Sequence, residues 1–331
     1  RGASLMKRQQ GVALITVLLV VAIVTVVSAG IIARQQLSIR SSANQLTARQ
    51  AWHYALGGEA LAHAMLQRDL KQAGSAPGEA VDHLREAWAR KMAPYEVEHG
   101  RISVSIEDLS GRFNLNSLVV NQQVNQTALQ RFRRLLLRLE IEPLLAERLI
   151  DWLDDNQDVS GSYGAEDNQY LLLEPPYRAA NRPMQDVSEL RLLLELSERD
   201  YRRLLPHVSA LPAATALNVN TASALVLSTL ADNLSPQAAQ QLVQARGAEG
   251  YRQLSDFTGQ PALAGLGVQA TGLALGSQYF AARSEVQLGE RRRVLISVLQ
   301  RGPDGRVHVL QRDLGQPARV LATVKPLEEQ P

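Results

Sequence analysis

Between Asp151 and Tyr177 the chain reads DWLDDNQDVSGSYGAEDNQYLLLEPPY. It holds Asp151, Asp154, Asp155, Asp158, Glu166, Asp167 and Glu174, with no lysine or arginine among them. Carboxylates crowded on one loop repel one another, so they are either spread in water or drawn together by a cation. Asp154, Asn156, Asp158 and Ser160 alternate and then meet Gly161, a spacing that turns successive oxygens of an irregular loop toward one hard ion. Glu166 and Asp167 would close the shell from the far side of the turn. The pattern is not an EF-hand: its glycine is displaced, and the twelfth position from Asp154 is Ala165. Residue chemistry alone leaves a structural calcium site and a merely solvated acidic loop evenly matched. Magnesium fits less well, because it dehydrates reluctantly and rarely accepts an all-protein cage.

Other chemistry is sparse. The 331 residues contain no cysteine, which excludes disulfides, thiolate catalysis and cysteine-based zinc sites. Net charge is +2 with acids and bases mixed, which gives no argument for nucleic acid as the main partner. There is no G-x-S-x-G, H-E-x-x-H or phosphate-binding loop, and Gly265-Leu266-Gly267 misses dinucleotide spacing. His53, His63, His83, His99, His207 and His308 are scattered. Asp154 and Asp155 could imitate a glycosidase pair, but few aromatic residues accompany them to form a sugar cleft. Arg131, Arg133, Arg134 and Arg138 flank Leu135–Leu137 and read as the wet face of an amphipathic helix, with an anionic partner as the alternative.

Positioning the acidic loop requires a scaffold, and the scaffold begins with an apolar run. Val12 to Ala33 is long enough to span a bilayer, and Lys7 and Arg8 before it place the short end in the cytoplasm. A cleaved signal peptide is the rival, since Val27-Ser28-Ala29 resembles a cleavage site. Against it, the apolar run continues through Ile31 and Ile32, and a proline-free helical pattern follows to Leu70. Val12–Leu70 is therefore predicted as one helix of ~90 Å, amphipathic in its second half, with a bend at Gly57-Gly58. Met6 reads as the natural start, with Arg1–Leu5 as an addition.

KQAGSAPGEA, residues 71–80, is a linker by composition, and a short helix around Trp88 is expected after it. Period-two alternation at Tyr95, Val97, Ile102, Val104 and Ile106 across His99-Gly100 predicts a hairpin. Strand pattern then disappears until Tyr279–Leu288, Arg293–Gln300 and Arg306–Arg312, the last two joined by a turn at Gly302–Gly305. One antiparallel sheet interrupted by an inserted helical domain is the economical reading. Within the insert, Phe113-Asn114-Leu115-Asn116-Ser117 matches Leu217-Asn218-Val219-Asn220-Thr221. Each is followed by a helix, a proline (Pro143, Pro236), a second helix, and a helix start capped by Ser188 or Ser255. The insert is therefore read as two copies of one helical unit, about 113–210 and 217–272. Leu217–Arg246 resembles the helix-hairpin-helix modules of DNA-binding proteins. Its hairpin, Ala231–Ser235, has no glycine and carries Asp232, so phosphate binding is disfavoured.

Lys7-Arg8-Gln9-Gln10-Gly11 followed by Val12-Ala13-Leu14-Ile15-Thr16 resembles a type IV prepilin leader. The resemblance implies cleavage after Gly11 by a prepilin peptidase and methylation of Val12. Most of that family carry glutamate at the fifth mature position, where this chain has Thr16. With the paired helical units, this departure makes the chain similar to the K minor pseudopilins of type II secretion. That resemblance implies an α+β fold: a long N-terminal helix packed on a small antiparallel sheet, with a large inserted all-α domain of two SAM-like or helix-hairpin-helix-like repeats. It implies a leader (1–11), a transmembrane helix (12–33) and its periplasmic continuation (34–70). A first α/β part (71–111), the insert (112–272) and C-terminal strands with a tail (273–331) follow. One or two structural Ca²⁺ ions would sit in the acidic loop, with ligands drawn from Asp151, Asp154, Asp155, Asn156, Asp158, Glu166 and Asp167. The expected function is non-enzymatic priming of a pseudopilus at its tip, in the Gram-negative inner membrane and periplasm. Expected partners are the I and J minor pseudopilins, the major pseudopilin, the inner-membrane assembly platform and secreted cargo. A membrane-anchored DNA receptor and a secreted hydrolase are the alternatives from other classes.

Overall fold

The structure is a computed structural model that describes residues 10–73, 80–302 and 306–314. The basic part of the leader, most of the 71–80 linker, Pro303–Gly305 of the expected turn and the tail beyond Leu314 lie outside the described residues. The chain forms two compact units that divide between Tyr54 and Ala55.

α1 (Gln10–Ala73) contributes to both units and is helical through Gly57 and Gly58. In the first unit, Val12–Ala33 is apolar and exposed along its length; it opens Val12–Gln72, the one helix among the described residues long and apolar enough to cross a membrane. Thr16 donates its hydroxyl to the carbonyls of Val12 (3.1 Å) and Ala13 (2.9 Å), so its polar group is satisfied within the helix.

In the second unit the rest of α1 lies on an antiparallel sheet. β1 (Tyr95–Val97) and β2 (Gly100–Asp108) form the expected hairpin, with His99 at φ +64° in the two-residue turn. The five-stranded order is β1-β2-β9-β10-β11, completed after the insert by β9 (Tyr279–Leu288), β10 (Arg291–Arg301) and β11 (Val307–Asp313). From Phe280 to Leu288, burial alternates along β9 as a strand with one face on the core requires. Ala62 and Leu66 of α1 pack with Val104, Ile106, Phe280, Ala282 and Leu299 of the sheet.

Trp88 closes this core, its ring 5.2 Å from Phe280 in an edge-on contact. It is carried on consecutive turns, not on the expected short helix. Its indole donates to Glu86 (2.6 Å), a bond that fixes a turn better than a helix.

Helix and sheet approach closely at Gly58, where a Cβ would stand 2.1 Å from Ser284 Oγ and 3.1 Å from Val104, whereas Gly57 faces open space. The two glycines should therefore respond oppositely. Gly57→Ala is expected to stabilise by up to about 1 kcal/mol through helix propensity. Gly58→Val is expected to destabilise by about 1–3 kcal/mol through overpacking. Thermal unfolding of both full-length variants checks this.

The insert alternates helices with strands of two residues, too short to register as sequence alternation. β3 (Phe113–Asn114), β4 (Val119–Val120) and β5 (Gln123–Val124) precede α2 (Gln126–Arg138), α3 (Leu145–Leu153), α4 (Asp167–Tyr170) and α5 (Glu198–Leu204). Next come β6 (Val208–Ser209), β7 (Leu217–Asn218), α6 (Ala224–Leu227), α7 (Pro236–Ala245), α8 (Leu254–Thr258) and β8 (Leu273–Ala274). Two separate cores result, one around Phe132, Leu136, Trp152 and Tyr170, the other around Val226, Leu242 and Phe257.

One hydrogen-bond pattern occurs twice. Asn114 Oδ1 accepts from Asn116 N–H, and Asn218 Oδ1 accepts from Asn220 N–H. Asn116 then brackets Met184, accepting its N–H (2.8 Å) and donating to its carbonyl (2.9 Å). Asn220 brackets Tyr251 the same way, at 2.7 and 3.0 Å. β3 pairs with β6 and β7 with β8, both in parallel. The matching Asn-x-Asn motifs thus have one physical role: a buried amide ties each half's entry strand to a distant loop.

The caps differ from expectation. Asp186, not Ser188, caps the 3-10 turn Val187–Leu192, because Asp186 accepts from Ser188 N–H while Glu189 reaches back to the Asp186 N–H. Gln253 precedes α8 without a side-chain cap, so Ser255 lies inside that helix. Pro236 does open α7 behind the cap Ser235.

Candidate metal centre

α3 sets the acidic segment. Glu147, Arg148 and Asp151 recur at the three- and four-residue spacings that share a helix face. All three hold the loop that follows. Glu147 accepts from Tyr163 N–H (3.0 Å) and pairs with Arg133 (3.1 Å). Arg148, buried, donates to the Tyr163 carbonyl (3.0 Å), lies over the Tyr163 ring at 3.9 Å, and pairs with Glu195 (2.9 Å). Asp151 Oδ1 accepts from Ser160 N–H (2.9 Å). Gly161 has φ +65°, and a Cβ there would strike the Glu147 carboxylate; a Cβ on Gly164 would stand 2.3 Å from Asp151 Oδ2. The two glycines are needed for the loop to lie this close to α3.

The folded loop separates the seven acids. Asp151 (0 % exposed), Asp154 (5 %) and Glu166 (2 %) are buried. Asp151 Oδ2 and both Glu166 carboxylate oxygens accept no hydrogen bond, and no cationic side chain pairs with any of the three among the described residues. Burial, reinforced by the charges of Asp151 and Asp154, pushes Glu166 up to about 8. Asp154 is pushed up to about 6, mainly by burial, and Asp151 is raised by burial as well.

Asp155 and Asp158 are exposed. Asn156 uses its side-chain oxygen on Asp158 N–H (2.7 Å). Asp167 is committed to Arg178 (3.1 Å) and Ala179 N–H (3.0 Å), so it anchors the loop's exit. The alternation Asp154-Asn156-Asp158 therefore builds successive local turns, while Asp151, Asp154 and Glu166 are the acids withdrawn from solvent. Sequence reasoning missed Glu147 and Arg148 as loop anchors, although their spacing from Asp151 on a helix was the available signal.

Buried carboxylates without a cationic side chain, three of whose oxygens accept no hydrogen bond, suit a hard divalent cation and offer nothing to a soft one. A second acidic group makes the contrast. Asp69, Asp82 and Glu86 each place a carboxylate oxygen within 4.8 Å of the others. Their cation belongs to the chain: Arg301, buried, pairs with Asp82 and with Asp69 (3.3 Å). Glu86 is further held by Trp88 and by His83 N–H (3.0 Å).

Two family models describing type II secretion system protein K match residues 111–213 and 217–276. A type II secretion system protein K from Pseudomonas aeruginosa is 58 % identical over 313 residues, 93 % of each chain. The chain belongs to the type II secretion system protein K family. A family member from Klebsiella pneumoniae is 38 % identical over 93 % of this chain and 97 % of that one. Among solved structures, the crystal structure of the GspK-GspI-GspJ complex from enterotoxigenic Escherichia coli contains a similar chain. It is 30 % identical with TM-score 0.74, and the match covers 83 % of this chain and 99 % of that one. As a protein K, this chain is a structural component of secretion and not an enzyme, which removes the hydrolase alternative. The first family model spans the whole acidic loop, and the border between the two models falls between the two cores.

Proposed function

We propose that this protein K is a minor pseudopilin that primes the pseudopilus and occupies its tip, in complex with the I and J minor pseudopilins and above the major pseudopilin. The observation that carries the proposal is the likeness, over most of both chains, to a chain of the GspK-GspI-GspJ complex. Lys7 and Arg8 would hold the N-terminus in the cytoplasm and leave the bulk in the periplasm. The assembly platform would draw Val12–Ala33 out of lipid, and that segment would exchange acyl-chain contact for helix packing. Folded cargo would then be driven through the outer membrane. Thr16 supports the leading position. Its hydroxyl is satisfied by its own helix, so no buried charge demands a subunit ahead of it.

Prepilin peptidase would cut between Gly11 and Val12 and leave methylated Val12 as the N-terminus. Intact-mass measurement of chain purified from secretion-competent cells is expected to return that mass. A chain beginning at Gly30 or at Met6 would overturn the leader assignment.

The buried carboxylates support a structural calcium site. Asp151, Asp154 and Glu166 would supply charged oxygens, and the ion would neutralise a loop that otherwise repels itself. The two halves of the insert, with their repeated Asn-x-Asn ties, support a reading as two copies of one helical unit. In this reading the hairpin of the second copy serves packing: Asp232 is bound by Arg134 (2.5 Å), and Arg134 also donates to the Thr229 carbonyl (3.0 Å).

A further inference from the structure

The arginines of α2 do not form a uniform wet face. Arg133 pairs with Glu147, Arg134 with Asp232, and Arg138 donates to the Leu234 carbonyl (2.9 Å). Arg131 has none of this. It is half-buried, its Nε is buried without a partner, and no carboxylate pairs with it among the described residues. Burial and the neighbouring Arg134 hold its guanidinium below the usual arginine range. It lies against Gly272, in the wall of a cleft of about 550 Å³ between the two halves of the insert. Ala214, Leu217, Leu230 and Val268 form apolar wall, and Thr271 adds a hydroxyl.

We propose that this cleft binds a carboxylate-bearing peptide segment, with Arg131 receiving the carboxylate. A guanidinium engages a carboxylate through two parallel N–H donors, and loss of water from the cleft strengthens that bond. The volume lies within the roughly 300–1,000 Å³ typical of ligand clefts, and beside the apolar wall Arg112, Asn125 and Thr127 supply polar groups for a peptide backbone. A bare inorganic anion would leave the wall of Leu217, Leu230 and Val268 unused, whereas a peptide covers it with side chains. The inference is independent of the tip assignment, since it rests on the cleft alone.

The test is calorimetric titration of the full chain in detergent micelles with three probes. These are acetyl-alanyl-leucyl-alanine with a free C-terminus, the same peptide as its amide, and acetyl-alanyl-glutamyl-leucine amide. At least one carboxylate probe is expected to bind about tenfold or more tightly than the amide. Binding of the first alone identifies a chain terminus as the ligand, binding of the glutamyl peptide alone an acidic side chain, and binding of both the carboxylate itself. Arg131→Gln is expected to abolish the preference without lowering the melting temperature, because it removes an unpaired half-buried charge. Ala214→Phe fills the cleft from an exposed loop and should weaken the same probes with Arg131 intact. The proposal is overturned if acid and amide bind equally, if neither binds up to millimolar concentration, or if Arg131→Gln keeps the preference. A fall in melting temperature on Arg131→Gln would also overturn it, by assigning the arginine to packing.

Discussion

Calcium added to metal-stripped chain at pH 8 is expected to stabilise the second unit by about 2.7 kcal/mol once the free ion reaches a hundred times its dissociation constant. The effect should depend steeply on pH. Without metal, the buried Glu166 is raised from 4.5 to about 8 and Asp154 from 3.8 to about 6. Groups raised on folding contribute stability that is fully present below their unfolded values and lost as pH rises through the folded ones. Stability of the metal-free chain should therefore decline between about pH 4 and pH 8. A cation binds the ionised forms, so it should restore most of that loss at pH 8 and do little at pH 5. Glu166→Gln should flatten the metal-free decline and remove most of the calcium response, whereas Asp155→Asn, at an exposed position, should leave both in place. Magnesium should substitute poorly. Thermal unfolding across pH, with and without calcium, checks each arm. An identical melting temperature at pH 8 in calcium and in chelator would end the calcium reading.

Arg301→Met is expected to cost about 3–5 kcal/mol, because it strands buried carboxylates without their counter-charge. Arg301 pairs with Asp82 and Asp69, donates to the Ser277 carbonyl and lies over the Phe280 ring at 4.7 Å. Asp82 already carries one buried oxygen without a partner, and burial with the charges of Glu86 and Asp82 pushes Asp69 up to about 6. At roughly 2 °C per kcal/mol for a unit of this size, the melting temperature should fall by about 6–10 °C. Adding Asp82→Asn to Arg301→Met should recover part of the loss, since it removes the stranded charge. If the double variant is less stable than the wild type by the sum of the two single costs, the pair is not an energetic unit.

Elements that announce themselves by periodicity were legible in the sequence. Tyr279–Leu288 was expected as a strand and folds as one, its burial alternating from Phe280 onward. The apolar run from Val12 to Ala33 forms helix throughout, with an amphipathic continuation that packs Ala62 and Leu66 on the sheet. Local polar chemistry was less legible. At Asp186 and Ser188 two capping residues competed two positions apart, and Glu189 decided in favour of the aspartate by completing the reciprocal bond. Around Trp88, one indole–carboxylate bond outweighed helical composition. The acidic loop was visible as a cluster, but which acids turn inward depends on where α3 points Asp151 and on the glycine contacts at 161 and 164. The arginine run is the same lesson: its spacing suggested one exposed face, yet three of the four side chains find partners far away in the chain.

A buried polar knot sits where the polypeptide leaves the sheet for the insert and returns. Asp108, at the end of β2, accepts from Ser110 N–H (2.8 Å), from the Ser277 hydroxyl (2.6 Å) and from Thr221. Asn218 Nδ2 donates to Ser277 (2.7 Å) and to the Asp82 carbonyl (3.1 Å). Outgoing and returning strands are thus clamped to each other and to the second helical half at one point. Such a joint has no free swivel. Load applied to the insert would pass to the sheet through this joint, so the two are expected to tilt together.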